Sequence, residues 1–303
     1  MKLDNKRTIL TGLAFLSICA FWQMYNSIVP LILTNTFHLN ETYSGAIMAA
    51  DNVLALFLLP LFGAISDKTH TRIGKRMPFI LFGTGCAVIL MNILPLLDNS
   101  YAAQPSGFKT ASFVIVLGLL LVAMGTYRAP AVALMPDVTP KPLRSKANAI
   151  INLVGYIGGI FSTLMMMLLL KSEKAADGSS YYPADQSFTP IFAAVAGFML
   201  VSVAILVLTT KENRLDAETW AEVAGSEQAE AGREPGRKEP MAPEVKRSLL
   251  FILLSVFLWF TAYNAVTTAF SRYCVAVWGA DLSASSGYLM AATVVAIASC
   301  LPL

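Results

Sequence analysis

Apolar residues occur along this chain in eight long runs separated by short polar segments. A helix rises about 1.5 Å per residue, so each run is long enough to cross a hydrocarbon core about 30 Å thick. The pattern therefore predicts an all-α membrane protein with eight transmembrane helices. The runs cover Thr8–Leu33, Ser44–Ile65, Pro78–Leu97, Ala111–Met135, Lys146–Leu170, Pro190–Leu208, Ser248–Phe270 and Ser286–Leu303.

Composition and charge placement agree with a membrane location. The 303 residues are 56% hydrophobic and 14% charged, too apolar for a soluble domain of this length. Most Lys and Arg residues fall on one side of the predicted membrane, and Lys109, Lys171 and Lys174 are among the few on the other. The positive-inside bias then predicts a cytoplasmic N-terminus, in a plasma membrane. The small basic excess gives no reason to expect a nucleic-acid partner, because the positive-inside bias of a protein in a lipid bilayer explains it.

One polar segment is much longer than the others and suggests the domain organisation. Residues 211–246 are rich in Glu, Ala, Gly, Pro and Arg and contain few large apolar residues. Such a composition predicts a solvated cytoplasmic linker, with a helical stretch at Ala217–Val223 as one option. It divides a six-helix bundle at 1–210 from the start of a second bundle at 247–303.

An internal repeat relates the two bundles. The stretch Ser44–Leu61 aligns without a gap with Ser286–Leu303, sharing Ser-Gly, Met-Ala-Ala, Val and Leu-Pro-Leu. The preceding runs also correspond, with Phe21-Trp22-Gln-Met-Tyr25-Asn26 opposite Trp259-Phe260-Thr-Ala-Tyr263-Asn264. Two parallel repeats are typical of one large transporter fold, while chance likeness between Ala/Leu-rich helices is the alternative. By symmetry we expect twelve helices in the complete pattern, of which this sequence carries eight.

Two motifs resemble those of the major facilitator superfamily. The first is Gly63-x-x-x-Asp67-Lys68 followed by Gly74-Lys75-Arg76, and the second runs from Arg128-Ala-Pro to Pro136-Asp137 and on to Arg144-Ser-Lys-Ala-Asn148. The four residues inserted after Lys68 resemble the glycoside–cation and sucrose-type proton symporters. The resemblance implies a major facilitator fold and a conformational role for the first loop; a merely orienting basic loop is the alternative. The loop residues concerned are Gly63, Asp67, Arg72, Gly74, Lys75 and Arg76.

Asp51 and Arg128 are ionisable residues inside apolar runs. A charge within the bilayer costs about 2.5–3.5 kcal/mol or more, so such residues are functional candidates. Counting along the helices from Asp67 and Asp137 places them about 10 Å apart in depth, which argues against a direct pair. We expect Asp51 to bind a proton or substrate and Arg128 to balance charge in a central cavity. A purely structural charge network is the alternative.

Aromatic and amide side chains supply candidates for sugar binding. Aromatic rings suit the C–H faces of sugars and amides suit their hydroxyl groups. In the fifth run, an i, i+4 stripe of polar residues lies beside Gly155-x-x-x-Gly159, where small residues predict close helix packing. Packing between helices is an equally good explanation for that stripe. The candidates are Trp22, Tyr25, Asn26, Asn148, Asn152, Tyr263 and Asn264.

These residues predict a secondary active transporter, with proton-coupled uptake of a disaccharide or related glycoside as the leading function. Melibiose-type sodium symporters carry acidic residues where this sequence has Ala55, Leu59 and Arg128, which argues against sodium coupling. No hydrolase, zinc-protease or nucleotide-binding motif occurs, so we expect no enzyme activity, metal or cofactor. A drug or lipid exporter and a non-transporting assembly partner remain alternatives.

Overall fold

The computed structural model describes residues 3–170, 173–174, 180–181, 186–215, 217, 243–278 and eight positions between 287 and 298. Seven helices in these ranges are long and apolar enough to cross a membrane, and they match the first seven predicted runs. The eighth run falls largely outside the described residues. We number the helices α1 (Asn5–Leu31), α2 (Glu41–Lys68), α3 (Met77–Ala103), α4 (Gly107–Asp137), α5 (Arg144–Leu169), α6 (Thr189–Thr209) and α7 (Pro243–Trp278).

Short irregular elements complete this helical chain. A π-helical segment at Ile32–Thr36 continues α1, and a 3₁₀ turn at Lys141–Leu143 leads into α5. Between α5 and α6, the two-residue strands Glu173–Lys174 and Ser180–Tyr181 pair antiparallel. This pairing of two residues with two residues leaves the predicted all-α fold class unchanged.

Side chains before the first residues of α1 and α2 explain where these helices begin. Asp4 accepts a hydrogen bond from the Arg7 amide at 3.1 Å. Asn40 accepts from the amides of Thr42 and Tyr43 at 2.7 and 3.2 Å. Asp and Asn are favoured before a helix because they satisfy amides that lack a partner within the first turn.

The first six helices form a bundle with α1 at its centre. α1 packs chiefly against α5 and α6, α3 against α4 and α6, and α2 against α4. Among the described residues, α1 contributes more of the largest fully buried side chains than any other helix, including Phe21 and Tyr25, and Phe113 and Tyr127 of α4 are also fully buried. We call the end with loop 69–76 and residues 138–143 the basic end, and the end with loops 37–40 and 104–106 the opposite end.

Glycines allow α1 and α5 to approach closely, but not the predicted pair. A Cβ added to Gly158 would lie 1.9 Å from the Leu16 carbonyl oxygen, and one added to Gly155 would lie 3.0 Å from the Cys19 sulfur. A Cβ on Gly159 would meet nothing within 4 Å. Gly155 therefore packs closely, as expected, but Gly159 does not pack on α1. The rotation of α5 about its axis brings Gly158 to α1 instead.

The predicted linker begins differently from a solvated segment. Lys211 is exposed, but the side chain of Glu212 is only 1% exposed and residues 212–215 form a helical turn. Of the predicted stretch Ala217–Val223, only Ala217 is described. The rest of the linker, up to residue 242, lies outside the described residues.

Candidate functional site

A narrow cleft between α1, α2 and α4 contains three of the predicted site residues. The space that it leaves for the centres of water molecules is about 30 Å³, enough for about two waters. A disaccharide therefore requires the cleft to widen. Its lining comprises Trp22, Asp51, Asn52, Leu54, Ala55, Leu58, Leu59, Leu121, Met124, Gly125 and Arg128.

Asp51 and Arg128 face the same cleft in spite of their different depths. They attract each other electrostatically, but no ion pair shorter than 4.0 Å joins them in the described part of the chain. Asp51 instead accepts a hydrogen bond from the Asn52 side chain at 2.7 Å. Arg128 lies over the indole ring of Trp22, 5.5 Å from its centroid. The guanidinium is thus positioned by a cation–π contact and stays within reach of the carboxylate.

Buried polar atoms without partners adjoin this cleft. The indole Nε1 of Trp22 and the hydroxyl of Tyr25 are buried, and neither has a hydrogen-bond partner among the described residues. The two rings meet edge to face at 5.2 Å, and the Tyr25 hydroxyl is close enough to Asp51 to feel its charge. Buried polar groups are normally hydrogen-bonded, so these two donors require a ligand, water or another state of the protein.

A hydrogen-bonded contact behind Arg128 holds α4 to α1. The hydroxyl of Tyr127 donates to the Ala14 carbonyl at 2.9 Å and also contacts the Ser17 hydroxyl. Tyr127 is fully buried, and a Cβ added to Gly83 of α3 would meet it at 2.8 Å. Sequence reasoning missed Tyr127, because a tyrosine in an apolar run carries no signal of its partner.

The amides predicted to bind sugar do not join the cleft. Asn26 is exposed, and Asn148 and Asn152 lie on the exposed face of α5, where the Asn152 amide donates to the Asn148 carbonyl at 2.8 Å. None of the three belongs to the described lining of the cleft. The i, i+4 stripe exists as a helix face, but that face does not pack against α1 or α4 in this structure.

One aromatic contact of α1 has a counterpart in α7, at the positions that the predicted repeat aligns. Phe21 stacks on Tyr25 at 5.7 Å with 24° between the rings, and Trp259 stacks on Tyr263 at 5.6 Å with 17°. Trp259 and Tyr263 are exposed on α7. The side chain of Asn264, predicted beside them, lies outside the described residues. The matching geometry is what two equivalent helices would give.

The motif residues of the basic end form a network of charges. The Arg76 guanidinium donates to Asp137 at 2.9 Å and also binds the Asp67 carboxylate and the Ser66 hydroxyl. The Lys75 ammonium lies 3.3 Å from Asp137. Arg76 is buried, with 5% of its side chain exposed, and it links the ends of α2 and α4 to the start of α3. We call Asp67, Lys75, Arg76, Asp137 and Glu212 the basic-end network.

Glu212 is the member of this network that sequence reasoning missed. Its carboxylate accepts hydrogen bonds from the backbone amides of Lys75, Arg76 and Met77 at 3.0–3.1 Å, at the start of α3. Burial raises the pKa of Glu212 above its ordinary value, although these amides and the Lys75 charge act in the opposite direction. The side chain of Asn213 adds bonds to the carbonyls of Thr71 and Arg72. The segment after α6 is therefore fastened to loop 69–76.

Gly63, Arg72 and Gly74 behave differently from one another. A Cβ on Gly63 would meet nothing within 4 Å among the described residues. The Arg72 side chain is exposed. Gly74 has φ +127°, and a Cβ there would collide with Glu212 at 2.1–2.7 Å. Glycine is thus required at 74 both for the backbone and for the docking of Glu212.

Comparisons with known proteins agree with this architecture. A family model described as Major Facilitator Superfamily matches residues 11–303. Sucrose transport protein SUC3 of Arabidopsis thaliana is 33% identical over 151 residues, and Sucrose transport protein SUT3 of Oryza sativa subsp. indica is 31% identical over 128. The matches cover 46% and 35% of this chain but only 25% of either relative. A crystal structure of a D-xylose-proton symporter aligns with TM-score 0.59 at 16% identity, covering 97% of this chain and 66% of that one.

Proposed function

The chain belongs to the major facilitator superfamily, and we propose that it forms the first bundle and the start of the second in a proton-coupled sugar symporter. The substrate that we infer is a disaccharide or related glycoside. The observation that carries this proposal is the pair of partnerless donors, Trp22 and Tyr25, beside the carboxylate of Asp51 and the cation of Arg128.

A sugar supplies the groups that the cleft lacks. Sugar hydroxyls can accept from the Trp22 indole and the Tyr25 hydroxyl and donate to a carboxylate such as Asp51. The face of Trp22, now covered by Arg128, suits the C–H face of a pyranose. Displacement of Arg128 from that ring by a sugar would free its charge for Asp51. Sugar binding and proton release from Asp51 would then be linked.

Protons suit this site better than sodium. The described lining contains one carboxylate, with Ala55 and Leu59 on the same helix as Asp51. Sodium, a hard cation, needs several oxygen ligands around it, whereas a proton needs one basic atom. Within the described residues, no group of three or more His, Cys, Asp or Glu side chains comes together.

The membrane orientation follows from the charges. The basic end carries Lys75 and Arg76 together with Lys141 and Arg144, so we propose that it faces the cytoplasm. Widening of the cleft requires α2 to move relative to α1. α2 is suited to this, because it packs chiefly against α4 and exposes much of its apolar surface.

Uptake of labelled disaccharides tests the proposal. The complete protein is placed in lipid vesicles, and uptake is measured with and without an imposed pH gradient. We expect accumulation only with the gradient, and we expect Asp51→Asn to abolish accumulation while leaving sugar exchange across the membrane. Trp22→Phe keeps an aromatic face but loses the N–H and one of the two fused rings, and should raise the half-saturation concentration at least 2- to 12-fold, about the equivalent of one net hydrogen bond.

Three outcomes would count against parts of the proposal. Uptake that ignores the pH gradient would reject proton coupling. Uptake that unlabelled disaccharides do not inhibit would reject the sugar. Inhibition by many unrelated apolar compounds would favour an exporter of drugs or lipids instead.

A further inference from the structure

Asp98 is a buried carboxylate at the opposite end of the bundle, outside the lining of the cleft. Asp98 lies on α3, five residues before its last residue Ala103, and only 3% of its surface is exposed. Its Oδ1 atom is buried and has no hydrogen-bond partner in the described part of the chain. An ionised carboxylate in such surroundings is strongly disfavoured unless it is paired.

The neighbouring groups offer Asp98 little compensation. The side chain of Thr36, the last residue of the π-helical segment, forms a hydrogen bond with Asp98. Lys109, at the start of α4, instead donates to the carbonyls of Ser100 and Gln104 at 2.7 and 2.8 Å. His38 is exposed in the α1–α2 loop and has the left-handed φ of 52°.

Two neighbours of Asp98 in sequence, Asn99 and Tyr101, make contacts with other residues. Asn99 donates to the hydroxyls of Ser187 and Thr189 at the start of α6, at 3.3 and 3.2 Å. Tyr101 packs its ring against Phe37 at 4.4 Å. Among the described residues, no charged side chain from α1, α4 or α6 acts on Asp98. The neutral, protonated form is therefore the one that this packing accommodates.

The segment that packs on α3 beside Asp98 departs twice from regular α-helical geometry. Pro30 interrupts the hydrogen bonding of α1, and the helix widens to π geometry at Ile32–Thr36. Beyond it, Phe37 is 4% exposed and fills a gap between Tyr101 and Phe113, with ring centroids 4.4 and 4.7 Å away. The end of α1 is thus held against α3 and α4 by side-chain packing, next to a helix interruption that can bend.

We propose that Asp98 is a proton-binding site that controls the end of α1. While the carboxyl group is protonated, the segment from Ile32 to Phe37 packs over it. When Asp98 releases its proton, the carboxylate needs water, and the end of α1 moves away from α3 to admit it. Because the packed state leaves an ionised carboxylate without water or a partner for its Oδ1 atom, rising pH on this side of the membrane favours the open state. This site is separate from Asp51 and does not depend on the proposed sugar transport.

Infrared spectroscopy tests the protonation directly. The complete protein in lipid vesicles at neutral pH should show the carbonyl stretch of a protonated carboxyl group that Asp98→Asn removes and Asp51→Asn retains. Asparagine mimics the neutral acid in size and polarity, so the Asp98→Asn variant should fold. A spectrum in which Asp98→Asn removes no such band would overturn the proposal.

Thiol labelling tests the movement. Leu39→Cys, in a protein whose native cysteines are replaced, reports opening because Leu39 is partly buried behind the π-helical segment. Its labelling rate is divided by that of Asn35→Cys, an exposed position, which cancels the pH dependence of the thiol itself. With Asp98 present, the ratio should rise with pH by up to about tenfold per pH unit, the limit for one proton.

Two further variants make the labelling decisive. With Asp98→Asn, the ratio should stay low at every pH. Thr36→Val removes the hydroxyl that favours the carboxylate, so the rise should shift to higher pH. An equal pH dependence with and without Asp98 would refute a role for its proton.

Discussion

Removal of the Glu212 side chain tests how the basic end is held together. Glu212 provides the acceptor for three consecutive amides, at Lys75, Arg76 and Met77, which have no partner within α3. Glu212→Ala removes both carboxylate oxygens and leaves these buried amides to water or to nothing. Glu212→Gln keeps one acceptor oxygen and nearly the same shape, but it removes the charge.

The structure gives different magnitudes for the two variants. Each lost hydrogen bond of this kind is worth about 0.5–1.5 kcal/mol net, and loss of a side-chain cap costs about 0.5–2 kcal/mol. Water can enter at the edge of the bundle, so we expect about 2–3 kcal/mol for Glu212→Ala. Glu212→Gln turns one of the two acceptor oxygens into an NH2 group that faces an amide, but burial no longer penalises a charge, so the net cost should stay below about 1 kcal/mol. An acceptor, rather than a negative charge, is what the site requires.

Hydrogen exchange at the three amides measures this difference. At 1.36 kcal/mol per factor of ten, Glu212→Ala should accelerate exchange at residues 75–77 by about 30- to 160-fold, and Glu212→Gln by less than about fivefold. Asp4→Ala is the matched control, because Asp4 caps the start of α1 through the Arg7 amide. It should accelerate exchange there and leave residues 75–77 unchanged. Unaltered protection of residues 75–77 in Glu212→Ala would refute the reasoning.

Three shorter predictions concern packing, charge geometry and pH. Gly158→Ala should lower the free energy of unfolding by about 1–3 kcal/mol or more, because its Cβ would clash with a carbonyl of α1. Gly159→Ala should leave it unchanged, because a Cβ there meets nothing within 4 Å. Equal melting temperatures of the two variants would contradict the assigned contact. Arg76→Lys keeps the charge but loses the planar guanidinium that binds two carboxylates. It should weaken the protection of the last turn of α2 by only about 1–2 kcal/mol, because Asp67 is 61% exposed and water screens its ion pair. The pKa of Glu212 is raised when its side chain is docked on the start of α3, so the docked carboxyl group binds a proton more tightly than the undocked one. Docking should therefore be strongest at pH values below 4.5, the ordinary pKa, and should weaken as the pH rises through the raised pKa of the docked group. Protection factors of residues 75–77 measured against pH should show this trend, and Glu212→Gln should abolish it.

Sequence reasoning succeeded where the physical signal was local. Long apolar runs predicted seven helices that the structure contains, because a membrane span must satisfy its backbone within itself. The sequence motif placed Asp67 and Arg76 in one short loop, and the eight residues between them keep both side chains at the same end of the bundle, where they form an ion pair. The ionisable residues Asp51 and Arg128 were found by their cost in an apolar environment.

The remaining contacts depend on how the helices rotate and meet. Glu212 looked like part of a solvated linker, because a single acid after an apolar run does not reveal a cap 136 residues away. Asn148 and Asn152 share a helix face as predicted, but nothing local tells whether that face meets α1. The choice of Gly158 over Gly159 likewise depends on the angle at which α5 crosses α1.

The positions of the charged residues connect the two ends of the proposed transport path. α2 carries Asp51 in the cleft and Asp67 at the basic end, and α4 carries Arg128 and Asp137 in the same two places. α2 packs chiefly against α4, and α4 in turn packs mainly against α3, whereas both α2 and α4 make few contacts with α1. Arg76 binds both terminal carboxylates at once, and release of one bond leaves the pair joined to each other by packing. Because α2 and α4 also line the cleft, we propose that separation of Arg76 from Asp67 and Asp137 accompanies a change in the walls of the cleft during alternating access.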